Sequence, residues 1–136
     1  MSVLDQFSLE GRTAIVTGAS YGLGAGFANT LAEAGANVVL AARSVDKLKD
    51  VAAQVGDLGV GTLVQECDVN NPEAVQATVA ASWEAFGRVD ILVNNAGVIA
   101  EAGVMPERVT DEMFALTMAT NVNGVFSFAR EVGARQ

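Results

Sequence analysis

Thr13-Ala14-Ile15-Val16-Thr17-Gly18-Ala19-Ser20-Tyr21-Gly22-Leu23-Gly24 is the stretch on which the fold turns. A short apolar run enters a turn holding Gly18, Gly22 and Gly24, and the turn leads into Phe27-Ala28-Asn29-Thr30-Leu31-Ala32-Glu33-Ala34, which reads as a helix. Strand, glycine-rich turn and helix in that order form a phosphate-binding corner. The turn aims backbone N–H groups at the helix N-terminus, where the macrodipole favours an anion. Glycine is needed because a side chain would hold a pyrophosphate away from the backbone.

Outward from this corner, short apolar runs alternate with amphipathic segments. Arg12 to Thr17 is the first strand, and Tyr21 to Ala34 the first helix, with Gly35 as its C-cap residue type. Asn37 to Ala42 is the second strand. Val45 to Val55 is a helix with Val45, Leu48, Ala52 and Val55 on one face. Gly61 to Glu66 is the third strand. Asn71-Pro72-Glu73 opens the next helix with an N-cap, a proline at the first helical position and an acid near the positive end. That helix runs to about Phe86. Val89 to Val93 is the fourth strand, Asn94 to Val109 a loop, and Asp111 to Arg130 a last helix capped by Thr110.

Four strands, each followed by a helix, predict an α/β fold: a Rossmann-like, doubly wound parallel sheet with helices on both faces. Ala14-Ile15-Val16, Val38-Val39-Leu40 and Ile91-Leu92-Val93 are apolar on both faces, as covered parallel strands are. Strand order 3-2-1-4 puts the topological switch point between strands one and four, where ligands bind at the carboxyl ends. Gly18 to Gly24 and Asn94 to Gly97 both lie at such ends.

The 136 residues make one domain, 51% hydrophobic and 18% charged, and hence globular. No run of about 18 apolar residues is present, so no membrane span is expected, and Met1 to Glu10 does not read as a signal peptide. The net charge of −8 argues against nucleic acid as a partner. The lone cysteine, Cys67, excludes an internal disulfide and fits a reducing cytoplasm. With no histidine in the chain, Ser-His and Cys-His mechanisms fall away, and no metal site is expected.

The turn has the pattern T-G-x-x-x-G-x-G. With Asp68 after the third strand, Asn94-Asn95-Ala96-Gly97 after the fourth, and Asn121 and Gly124 in the last helix, it resembles the first half of the short-chain dehydrogenase/reductase family. The resemblance implies an NAD(P)-binding domain over residues 1–136 that lacks the C-terminal catalytic part. Gly18, Ser20, Tyr21, Gly22, Leu23 and Gly24 then belong to the pyrophosphate turn. Asp68 and Val69 correspond to the adenine contacts, the alternative being a loop carboxylate that caps the following helix. Asn95, Ala96 and Gly97 bring backbone to the cofactor ribose, although Asn95 equally serves to tie the central strands together. Asn121 corresponds to the helix-kinking residue whose carbonyl holds a relay water; otherwise the helix ends early at this point.

An NAD preference usually needs a carboxylate at the end of the second strand. Ala41-Ala42-Arg43-Ser44 stands there instead. Arg43 suits a 2′-phosphate and Ser44 adds a hydroxyl, so NADP(H) is expected over NAD(H). The alternative is a solvated Arg43, with Asp46 on the ribose. Some NADP-preferring members also carry a base inside the glycine turn, where this chain has Ser20 and Tyr21, and that counts against the preference.

The family reaction moves a hydride between nicotinamide and a carbonyl or alcohol, using a Tyr, a Lys four residues on and a Ser. The only tyrosine, Tyr21, lies in the glycine turn, and the only lysines are Lys47 and Lys49. The chain should therefore be inactive alone. Two readings remain: the cofactor-binding half of such an oxidoreductase, or a non-catalytic dinucleotide-binding or assembly module complete at residue 136. A methyltransferase-like nucleoside binder fits less well, because Arg43 occupies the place of a ribose-binding acid. Ile99 to Arg108 should line the substrate mouth but names no substrate. An edge fourth strand and an apolar last helix lead us to expect a homo-oligomer.

Overall fold

The computed structural model describes residues 1–136. It lays four strands side by side in the order β3-β2-β1-β4. β1 is Thr13–Thr17, β2 Asn37–Ala42, β3 Thr62–Glu66 and β4 Ile91–Val93. All pairings are parallel, with Ile15 opposite both Val39 and Leu92. Helices α1 (Gly22–Glu33), α2 (Val45–Gly56) and α3 (Pro72–Phe86) make the crossovers, and α4 (Asp111–Met118) and α5 (Gly124–Gly133) follow β4. The doubly wound sheet and its 3-2-1-4 order are as the sequence indicates.

Alternation along the strands divides the core in two. Val16, Val38 and Leu40 pack against Ala28 and Ala32 of α1 and against Leu48, Val51 and Val55 of α2. Ile15, Val39 and Ala41 face the other way, onto Val75 and Val79 of α3 and Phe128 and Val132 of α5. Buried on both faces, β1 and β2 read as unbroken apolar runs. β4, at the edge, is only half-buried.

β1, β3 and α1 each begin one residue later than the sequence reading, at Thr13, Thr62 and Gly22, and three further differences are larger. β4 begins at Ile91 rather than Val89. Asp90 turns its carboxylate back onto β1, where it accepts from the Thr13 N–H at 2.9 Å and from Arg12 and Arg88. Short 3₁₀ turns form at Leu4–Phe7 and Pro106–Arg108. The last helix is not one rod: a π-helical turn, Ala119–Asn123, separates α4 from α5, which runs on to Gly133. The wide turn leads directly into close packing. A Cβ on Gly124 would lie 2.8 Å from Val69 Cγ2, so α5 starts almost in contact with the segment after β3. The extra residue of the π turn lets the helix axis reach that position.

Asp90 also provides an acid-sensitive clamp between β1 and β4. Hydrogen bonding from Arg88, then from the Thr13 N–H and Arg12, holds its carboxyl at about 2, below its ordinary 3.8. A depressed folded-state pKa contributes stability above pH 4 and loses it as the pH falls towards 2. Both arginines are about half exposed, which limits the contribution to roughly 1 kcal/mol. Urea midpoints should therefore hold steady from pH 7 to 5 and fall below pH 4. Asp90→Asn should lower the pH 7 midpoint and flatten that fall. An identical pH profile in the variant would rule the clamp out.

Candidate functional site

The carboxyl ends of β1 and β4 meet, with Val16 opposite Val93. The hydroxyl of Thr17 accepts from the backbone N–H of Asn95 and of Ala96, both at 3.0 Å. Asn95 Nδ2 donates to the Gly18 carbonyl at 3.2 Å. Asn95 thus stitches the glycine turn to the segment after β4, which is the structural role open to it from sequence. Thr17 shares that work although the sequence did not single it out. Its signal was a hydroxyl at the buried end of an apolar strand, where a polar group needs partners.

Gly18 and Gly22 have φ of 62° and 59°, the left-handed region that suits glycine. Nothing lies within 4 Å of where a Gly22 Cβ would be, so the turn is open above it. Gly24 is the opposite case. Its Cβ would run into the Gly18 carbonyl and come within 2.6 Å of Asn95 Nδ2. Tyr21 precedes α1 without a side-chain cap, so no side chain takes up the first N–H groups of the helix there. Tyr21 and Leu23 stand about three-quarters exposed beside the turn.

A cleft of about 250 Å³ runs along the strand ends, beside the segment after β4. Arg43 after β2, Cys67 to Asn70 after β3, Ala96 to Val98 after β4, and Leu116 and Thr120 line it. Asp68 accepts from the Asn70 N–H at 2.9 Å. It does not cap α3: Asn71 does, accepting from Glu73 and Ala74. One hydrogen bond thus leaves most of the exposed Asp68 carboxylate open to the cleft. Asn70 Nδ2 donates to Thr120 in the π turn at 2.9 Å, a link between the β3 loop and the last helix that sequence did not suggest. Burial pushes the Cys67 thiol up, outweighing a hydrogen bond from Thr78, and Asp68 adds to the rise. The thiol therefore stays protonated and unreactive at neutral pH.

Asn121 lies in the π turn, so the helix does not end there. Its Oδ1 accepts from the Val98 N–H at 2.8 Å and its Nδ2 donates to the Val98 carbonyl at 2.7 Å. This pair fixes the course of the backbone after Gly97. Farther along, Thr117 donates to Glu101 at 2.6 Å and accepts from the Ala100 N–H, fastening the same loop to α4. A second hollow, about 400 Å³, adjoins the turn on the β2 side and is lined by Ser20, Tyr21, Ala42, Arg43, Ser44 and Lys47. The ion pairs of the chain are Arg12–Asp90, Arg88–Asp90 and Arg130–Glu131, so Arg43 and Lys47 have no carboxylate partner.

A glycine turn at the switch point of a 3-2-1-4 parallel sheet defines a Rossmann-type dinucleotide-binding fold. The family description "short chain dehydrogenase" matches residues 12–135, and the chain belongs to the short-chain dehydrogenase/reductase family. It is 39% identical over 125 residues to the 3-oxoacyl-[acyl-carrier-protein] reductase FabG of Vibrio cholerae, covering 92% of this chain and 49% of that protein. A metagenomic short-chain oxidoreductase in complex with NADP superimposes with a TM-score of 0.86 at 35% identity, covering 93% of this chain and 57% of that one. An NAD⁺-bound xylitol dehydrogenase gives 0.85 at 32%, covering 91% and 47%. The chain thus spans about half the length of the relatives it matches. No helix is long and apolar enough to cross a membrane.

Proposed function

We propose that the chain carries the cofactor-binding half of an oxidoreductase that transfers hydride between NADP(H) and a small carbonyl or alcohol substrate. Gly18, Ser20, Gly22, Leu23 and Gly24 hold the pyrophosphate against the start of α1. Asp68 and Val69 receive the adenine, and the backbone of Ala96 and Gly97 meets the ribose. Asn121 sets the loop beyond Gly97 and offers its carbonyl to a relay water. Bound there, the nicotinamide supplies the hydride chemistry. The turn fits such a ligand because the space above Gly22 is clear and two cations beside it lack partners.

The single observation that carries the NADP(H) preference is Arg43, free of any carboxylate at the end of β2 and flanked by the unengaged hydroxyl of Ser44. An Arg–phosphate pair is worth roughly 1.5–3 kcal/mol, or about ten- to a hundredfold in affinity. Titration with NADPH and NADH should show NADPH the tighter ligand. Arg43→Ala should cost about that factor on NADPH alone, and Arg43→Asp should reverse the preference. Equal losses on both cofactors would defeat the reading.

Phe114, Met118, Val122 and Phe126 recur every four residues along the last helix, the spacing of one face, and each is about half exposed. We infer that a second copy of the chain covers this face, in a cytoplasmic homo-oligomer with no nucleic-acid or membrane partner. Light scattering at micromolar concentration should give at least a dimer mass, and Phe126→Glu should lower it. A monomeric mass for the unsubstituted chain would contradict this.

A further inference from the structure

Lys47 enters the reading above only as a cation without a partner, and no role is given to it there, yet its ammonium sits 5.4 Å from the centroid of the Tyr21 ring, on the wall of the hollow that also holds Arg43. We propose that Lys47, seated on Tyr21, is the second cation of a phosphomonoester subsite and helps set the preference for a 2′-phosphorylated ribose. The inference rests on the NADP(H) reading and adds to it a residue and a means of holding it.

The placement follows from helix geometry. Lys47 lies in the first turn of α2, and helical side chains lean towards the N-terminus, here towards Ser44 and Arg43. Lys49, two residues on, lies on a different part of the helix surface and does not line the hollow. The chain carries a net charge of −8, yet two of its eight Lys and Arg residues meet here without an acidic partner. Asp46 and Asp50, the nearest acids along α2, form no ion pair with either.

The chemistry suits a dianion. Arg43 brings a planar fork, Lys47 a compact point charge, Ser20 and Ser44 two hydroxyl donors, and the start of α2 a positive dipole end. A free lysine would spread its ammonium over many rotamers. The Tyr21 ring, itself mostly exposed, gives it a preferred seat by cation–π attraction. A ribose with a bare 2′-hydroxyl places no dianion there, so Lys47 should affect only the phosphorylated ligand.

The test uses 2′,5′-ADP and 5′-AMP as probes, titrated calorimetrically into the 136-residue chain at low and at high salt. Lys47→Met keeps the apolar stem and removes the charge. It should weaken 2′,5′-ADP about fivefold at low salt, less at high salt, and leave 5′-AMP within about twofold. Tyr21→Leu should give a smaller loss of the same selective kind, and Lys49→Met none. Thermal melts of each variant should match the unsubstituted chain, since Lys47 and Tyr21 are exposed. If the unsubstituted chain binds 2′,5′-ADP no tighter than 5′-AMP, the NADP(H) reading fails and this one with it. If Arg43→Ala abolishes the discrimination while Lys47→Met leaves it intact, or weakens both probes alike, the role of Lys47 alone is overturned.

Discussion

Gly24→Ala is expected to destabilise the chain by about 3 kcal/mol and to abolish dinucleotide binding. The added methyl would enter the Gly18 carbonyl and crowd Asn95 Nδ2. Overpacking typically costs about 1–3 kcal/mol, and the upper end applies where the obstacle is backbone that has no rotamer to change. Relief requires lifting the turn off the segment after β4. That motion breaks the Asn95–Gly18 bond and strains both bonds to Thr17, each worth about 1 kcal/mol. The same motion opens the phosphate cradle, so binding and stability fall together. Two nearby glycines are controls. Gly26 is helical and faces open space, and Gly26→Ala should stabilise α1 by about 0.5–1 kcal/mol. Gly22 has space too but a left-handed φ, and Gly22→Ala should cost about 1–2 kcal/mol through the backbone alone. Urea unfolding and NADPH titration of the three variants check this. A Gly24→Ala chain that melts normally and binds normally would show that the close approach is absent.

The fold was legible because each crossover carried its own punctuation. Glycine followed the first three helices, Asn71-Pro72 opened the third, and the strands between were apolar on both faces. The 3-2-1-4 order came with the doubly wound pattern, and it sets Gly18 to Gly24 and Asn94 to Gly97 at one switch point. The last helix was less legible. A π turn has no compositional signature, and the close neighbour of the glycine that follows it, Val69, lies more than fifty residues earlier in the chain. The site divides in the same way. Glycines at the turn announce themselves by type. Thr17, Asn70, Thr120 and Lys47 act through partners that only the folded chain brings near. Asp68 is intermediate: the sequence offered a cap or a ligand contact, and the cap belongs to Asn71.

The 136-residue chain is expected to bind NADP(H) and not to turn it over. Carbonyl reduction needs a proton donor at the substrate oxygen, and a positioned acid or base contributes about 10²–10⁴-fold to such a step. The titratable side chains around the cleft and the adjoining hollow are Tyr21, Arg43, Lys47, Cys67 and Asp68. Tyr21, Arg43 and Lys47 gather on the β2 side of the glycine turn, around the proposed 2′-phosphate subsite. Asp68 lies after β3, at the proposed adenine end, and the Cys67 thiol is kept protonated by burial. At the other end of the cleft, Gly97, Val98, Leu116 and Thr120 present no group that titrates near neutral pH. Thr120 already accepts a hydrogen bond from Asn70, and the Asn121 amide is committed to Val98. Tyr21 and Lys47 do lie close together, which superficially resembles the phenol–ammonium pair of the family reaction. They stand beside the glycine turn rather than at the Asn121 end, and the ammonium lies over the ring face rather than at the hydroxyl. Stopped-flow and steady-state assays with NADPH and a panel of aldehydes and ketones should show binding without oxidation above background. A rate that rises in proportion to chain concentration and disappears in Tyr21→Phe would mean that this pair does the chemistry after all.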